Sequence, residues 1–332
     1  MGPKGARELT QEEAERIMTL VLEGKLTEAQ LGAFFIAMRV KGETAQELSA
    51  FARTTRQFCH LISPDVKPLV DSSGPYDGKT DTVNFSLVSA LIAAGAGLSI
   101  LLHGEKDMPV KYGVGPGDVL YALGVNPDLP PARVERLIEE AGVGYLKESR
   151  YCPALFRLRK VRTEIGLRPF LSVIEKILNP AGAQVQMVGI THGPYLDKMV
   201  EVVQGVGTKR GMIVQGIEGT QELHISKRTK VKELGQMGIR AYDVNPAELG
   251  LVSARPEELA GASAQNSARA AIKILKGEKG ALRDAALLSA AVLIYLGGAA
   301  PSIKEGLDLA IESLDSGAAL KRLSLLQKLT PI

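Results

Sequence analysis

Three helix-start signals crowd into the first fifty residues, and they constrain this chain more than any other feature. Thr10-Gln11-Glu12-Glu13, Thr27-Glu28-Ala29-Gln30 and Thr44-Ala45-Gln46-Glu47 each place a hydroxyl at the N-cap and Glu or Gln at the third helical position. That pattern satisfies two orphan backbone donors reciprocally and predicts a helix start at each site. Gly24 and Gly42 punctuate the ends, and "LGAFFIAMRV" in the second helix is apolar on nearly every face, as a buried helix requires. The first sixty residues carry eight basic and eight acidic side chains, so this part reads as a neutral all-helical lobe.

From Val66 the pattern changes to short apolar runs alternating with helices, the mark of a mostly parallel sheet. Expected strands are Pro68–Ser72, Leu98–His103, Gln186–Ile190 and Gly211–Ile217, with helices near 83–95, 117–123, 131–141, 170–178, 194–204, 266–276, 282–296 and 303–315. Residues 151–182 read as helical without a strand, so a segment near 165–182 is expected to return to the helical lobe. The expected fold class is α/β: a small N-terminal helical lobe over 1–65 and a larger α/β lobe over 66–332. The chain is long enough, at 332 residues, for a well-buried core. Two distant cysteines, Cys59 and Cys152, and four scattered histidines support neither a disulfide framework nor a zinc site. The N-terminus is charged and reads as no signal peptide, and the apolar runs are too short or Gly-broken for a membrane span. A cytoplasmic location is the expectation.

Chemistry is carried by four stretches. "DSSGPYDGKTDTVNFS" (71–86) joins a strand to a helix, where free N–H groups and a helix N-terminus cradle phosphate. It is followed by "LLHGEKDMPVKYGVGPGDVLYALG" (101–124), "CPALFRLRKVRTEIGLRPFLSVIEKILNPAGA" (152–183) and "IVQGIEGTQELHIS" (213–226). In this order they resemble the anthranilate phosphoribosyltransferase family, glycosyltransferase family 3, over nearly the whole chain. The resemblance implies a homodimer through the helical lobes and a site for phosphoribosyl pyrophosphate.

Residue by residue, the resemblance is incomplete. The family's D-x-x-G-T-G-G-D loop keeps Asp71 and Gly74, and the segment after it keeps Thr82, Asn84 and Ser86. Pro75, Tyr76 and Asp77 stand where Thr-Gly-Gly would be; proline lacks an N–H, tyrosine lacks glycine's freedom, and the added carboxylate repels phosphate. His103 and Gly104 survive in the second stretch, but Leu102 replaces a Lys, leaving Lys106 and Lys111 as basic contacts. Arg168 matches the family's anthranilate-contacting arginine, while Glu175-Lys176 replaces Gly-Pro. The family's metal-holding Asp-Glu pair reads Gln221-Glu222, so Glu222 is the one metal candidate left there, with Glu218 as a partial substitute.

These changes resemble a divergent second branch of the family, for which non-specific nucleic-acid binding has been proposed. Charge clustering points the same way: Arg150, Arg157, Arg159, Lys160 and Arg162 form one run, and Lys209, Arg210, Lys227, Arg228 and Lys230 a second. Tyr145, Tyr151 and Phe156 are the aromatic group beside the first run. The leading expectation is a nucleic-acid binder through phosphate contacts, with no cofactor. The alternative is a phosphoribosyl pyrophosphate-dependent transferase using Asn84, Ser86, His103 and Glu222 with magnesium; a third reading is a small-anion-binding or structural protein.

Overall fold

The computed structural model describes residues 6–332; residues 1–5 of the expected helical lobe lie outside it. Helices α1 (Gln11–Glu23), α2 (Glu28–Lys41) and α3 (Ala45–Arg56) begin at Thr10, Thr27 and Thr44, and all three capping boxes are formed. Each cap is worth about 1 kcal/mol, enough to fix where a short helix starts.

The α/β lobe is built on one seven-stranded sheet in the order β3-β2-β1-β4-β5-β6-β7. The strands are β1 (Leu69–Ser73), β2 (Ser99–Gly104), β3 (Val143–Lys147), β4 (Val185–Gly189), β5 (Arg210–Val214), β6 (Thr229–Gly235) and β7 (Gly238–Val244). β1 to β5 run parallel, and β6 and β7 close the edge antiparallel. The four expected strands are present within a few residues of their expected ends. β3, β6 and β7 are additions: "KRTKVK", read as a basic run, leads into β6, where Thr229 and Val231 point inward and Lys230 outward.

Period-two alternation divides the central strands between two cores. Val70, Ile100, Leu102, Met187, Met212 and Val214 face one cluster, which includes helix α4 (Ser86–Gly95) and the long Ala281–Leu296 helix. Leu69, Leu101, Val188 and Ile213 face the other, built from the helical lobe, helices Leu171–Ile177 and Tyr195–Gly205, and residues 151–161. The strandless segment thus packs with the helical lobe. A final helix, Ala318–Leu329, completes the first core and has no counterpart in the sequence expectation.

The order of strands fixes where a ligand can bind. The chain winds from β1 out to β3, then returns to place β4 on the other side of β1, so the carboxyl ends of β1 and β4 flank a topological switch point. Open α/β sheets bind ligands in that crevice. The 71–86 stretch leaves β1 there, and Ile190-Thr191-His192 leaves β4 beside it. Among the described residues no helix is long and apolar enough to cross a membrane.

Candidate functional site

The loop after β1 is filled from within. Tyr76 is buried, and its phenol hydrogen-bonds His103 Nδ1 and, at 2.6 Å, the Tyr151 hydroxyl. His103 Nε2 in turn meets the Asp71 carboxylate at 3.1–3.2 Å. This chain of four side chains, Asp71–His103–Tyr76–Tyr151, lies wholly in the interior. Burial pushes both phenols well above their ordinary pKa, so they stay neutral donors and acceptors. His103, expected at a phosphate, instead links β1 to the loop.

Two glycines let the loop close. A Cβ on Gly74 would stand 2.6 Å from Gln221 Oε1, and one on Gly78 (φ +71°) would stand 2.5 Å from the Gly113 carbonyl carbon. Gly78 therefore brings the 71–86 loop against the 105–115 loop, and Lys79 pairs backbone to backbone with Val114 at 3.1 and 2.8 Å. That pairing turns the Lys79 side chain inward, where it forms an ion pair with Glu222. Glu222 also accepts from the Phe85 amide (2.7 Å) and the Ser86 hydroxyl (2.8 Å). Asn84 is spent locally, donating to the Val114 carbonyl and accepting from the Ser86 amide. Glu218 accepts from Thr82 N and Oγ1, Thr80 N and Asp81 N at 2.7–3.2 Å. Burial raises its pKa, but hydrogen bonds led by Thr82 outweigh that and hold it below the usual range. What remains within the loop, beside Gly74, Asn84, Ser86, His103 and Gly104, is a cavity of about 20 Å³. That is room for about a water molecule, not for a diphosphate.

The neighbouring cleft is open. A cavity of about 730 Å³ lies between the carboxyl end of β4 and the helical segment around Gly166–Lys176, with Arg39 and Glu43 from the helical lobe at its wall. Its size is that of a ligand pocket. Phe170, Val173, Ile190 and Met199 give it an apolar surface, and Arg39, Lys111, Arg168, Lys176 and His192 supply the nitrogen groups. Arg168 lines the cleft, and its Nε donates to Asp77 at 2.6 Å. Asp77 therefore clamps Arg168. Lys176 donates to the Gly189 carbonyl at 2.9 Å, and burial, with Arg168 nearby, lowers its pKa to about 8. Burial likewise lowers Lys111. Lys79 and Lys176 are buried positions that no local pattern marks, since a lone lysine reads as exposed until the fold buries it.

The residues expected to bind nucleic acid do not form one surface. Arg162 is buried and paired with Glu175, so it cannot touch a phosphate backbone. Tyr145 and Tyr151 are buried as well, which removes them as stacking platforms. Arg150 pairs with Asp128, Lys160 with Glu28, Arg210 with Glu233 and Arg228 with Glu248, while Arg157 and Arg159 donate to the Leu22 and Asp107 carbonyls. Lys209, Lys227 and Lys230 have no ion-pair partner among the described residues. Arg150 follows β3 at one edge of the sheet, whereas Lys230 starts β6 near the other, about 24 Å away at five strand spacings. Lys209-Arg210 and Lys227–Lys230 sit at opposite ends of the antiparallel β5–β6 pair.

Comparison with known proteins places the fold in a family. Residues 67–320 match the glycosyl transferase family a/b domain, and residues 4–59 match its helical bundle domain. The anthranilate phosphoribosyltransferase of Methanocorpusculum labreanum is 38% identical over 94% of this chain and 91% of its own length. That of Rubrobacter xylanophilus is 37% identical over 95% of this chain and 92% of its own. The crystal structure of anthranilate phosphoribosyltransferase from Thermus thermophilus superposes with a TM-score of 0.89 at 35% identity, covering 97% of this chain and 96% of that one. The Saccharomyces cerevisiae enzyme, solved in complex with PRPP and Mg, shares the fold at 21% identity and a TM-score of 0.85, covering 97% of this chain and 93% of its own.

Proposed function

This chain belongs to the glycosyl transferase family of the anthranilate phosphoribosyltransferases, and from that premise we propose that it is a phosphoribosyl-type glycosyl transferase working in the interlobe cleft. One observation carries the proposal: the 730 Å³ cleft stays open while the adjacent loop is packed shut, and its cationic groups outnumber its anionic ones. An apolar wall of Phe170, Val173 and Met199 beside Arg168 and Lys176 suits an acceptor with a flat apolar body and a carboxylate. Glycosyl transfer releases an anion, and positive groups already in place stabilise that charge as it develops. Lys111 and Lys176 are the groups placed for it.

This reading is preferred over nucleic-acid binding because half of the ten basic side chains behind the latter are already ion-paired, two more donate to backbone carbonyls, and the two runs lie apart. The test incubates the protein with phosphoribosyl pyrophosphate, magnesium and anthranilate, or a panel of other aromatic acids, and measures pyrophosphate release. Acid-dependent release is the expected result. No release with any acid, together with DNA retardation that weakens on charge reversal of Lys227 and Lys230, would overturn the reading.

A further inference from the structure

Glu222 is a carboxylate with nothing left to offer a metal ion. Oε1 accepts from the Phe85 amide and the Ser86 hydroxyl, and Oε2 is paired with the Lys79 ammonium. The same ammonium donates to the Val83 carbonyl at 2.7 Å and lies 5.1 Å from the centroid of the Phe85 ring. Lys79 is fully buried and Glu222 is 1% exposed. A carboxylate oxygen, a peptide carbonyl oxygen and an aromatic face together are a cation-recognising set. Elsewhere the site offers little to a metal. Glu218 is committed to the backbone of Thr80–Thr82, and Gln221 presents a neutral amide. Among the described residues no group of three or more His, Cys, Asp and Glu side chains converges on one point. The magnesium bound by the yeast relative therefore does not fit the residues present here.

The charges explain why. Two carboxylates side by side need a divalent ion, or one of them must take up a proton. Here Gln221 removes one negative charge and Lys79 supplies one positive charge to the carboxylate that remains. The two changes compensate, and the site is neutral without any ion from solution. Lys79 is no surface lysine folded in by chance, because Gly78 and Gly113 leave room for its backbone to pair with Val114 and so direct its side chain inward.

We infer that Lys79 is a built-in cation that has taken the seat of a divalent ion, and that removing its ammonium turns Glu222, Ser86 and the Val83 carbonyl into a divalent-cation site. This stands apart from the reaction proposed above and is tested without measuring it. Three proteins are compared: wild type, Lys79→Ala, and Lys79→Ala combined with Glu222→Gln. Thermal melts are run in EDTA and in about 10 mM Mn²⁺, and bound Mn²⁺ is counted from the loss of the free-ion EPR signal. Wild type should be indifferent to the metal. Lys79→Ala should melt lower in EDTA, regain roughly 5 °C with Mn²⁺, and bind about one ion per chain. The double variant, with no buried charge left, should fold in EDTA and ignore the metal. Mn²⁺ binding by the wild type at this site, or a Lys79→Ala protein that gains nothing from the ion, overturns the inference. So does a single variant that fails to fold even with metal while the double variant folds.

Discussion

The 71–86 loop and the interlobe cleft lie side by side at the carboxyl end of one sheet, and they are built in opposite ways. In the loop the buried charges have internal partners: Lys79 with Glu222, Asp71 with His103, Asp77 with Arg168. Its volume has gone to the phenol of Tyr76, leaving about 20 Å³. In the cleft about 730 Å³ stays open, and cationic groups there exceed the acids that face them. A phosphate cradle depends on small residues and free N–H groups, so a single large side chain closes it. A cleft between two lobes depends on the gap between them, which point changes narrow only slightly. The family fold is kept in both regions; space for a large ligand is present in one.

The largest effect should follow from undoing the closure. Tyr76→Ala removes a buried ring and leaves His103 Nδ1 and the Tyr151 hydroxyl without their partner. A loss of about 3–5 kcal/mol in stability is expected, measured by denaturant unfolding. The space released sits beside Gly74, Asn84 and Ser86, so calorimetry should detect tighter inorganic pyrophosphate binding in the variant than in wild type, where the cleft cations alone can hold it. Wild-type protein binding pyrophosphate as tightly as Tyr76→Ala would break the contrast between the two regions.

A smaller effect is expected in the cleft. Arg168→Ala removes a charged fork and also frees the Asp77 carboxylate to repel an incoming anion. Hydrogen bonds to charged groups are worth about 1.5–3 kcal/mol, so anthranilate affinity should fall about 10- to 100-fold by calorimetry. Adding Asp77→Asn should recover part of that loss. Full independence of the two changes would mean that Asp77 does not tune the cleft.

Local chemistry was legible in the sequence where it is self-contained. The capping boxes at Thr10, Thr27 and Thr44 close within four residues each, so nothing distant can override them. The parallel strands β1, β2, β4 and β5 are marked by apolar runs because both of their faces are buried. β6 was hidden because its outward lysines dominate the composition while Thr229, Val231 and Glu233 do the packing. Substitution of the glycines by Pro75, Tyr76 and Asp77 showed that the loop had changed, but not what each side chain does instead. Asp77 turns to Arg168 and Arg162 to Glu175 across 91 and 13 residues, and such pairings exist only once the chain has folded. The same holds for Lys79, whose partner is 143 residues away.

The finest discrimination between the two regions comes from pH. Lys79 is balanced by a carboxylate, whereas Lys176 in the cleft has, among the described residues, only the Gly189 carbonyl as its hydrogen-bond partner, and burial lowers its pKa to about 8. Below that pH the ammonium is charged and attracts an anion; above it the amine is neutral. Anthranilate affinity should therefore fall several-fold as pH rises through about 8, and Lys176→Met should abolish that dependence. Stability runs the other way. The unfolded chain titrates this lysine at its ordinary 10.5, so between about 8 and 10.5 it binds more protons than the folded chain. Stability from this group rises across that window, because the cost of burying its charge is relieved first in the folded state. Affinity and stability that both fall above pH 8 would show that Lys176 does not titrate in the cleft.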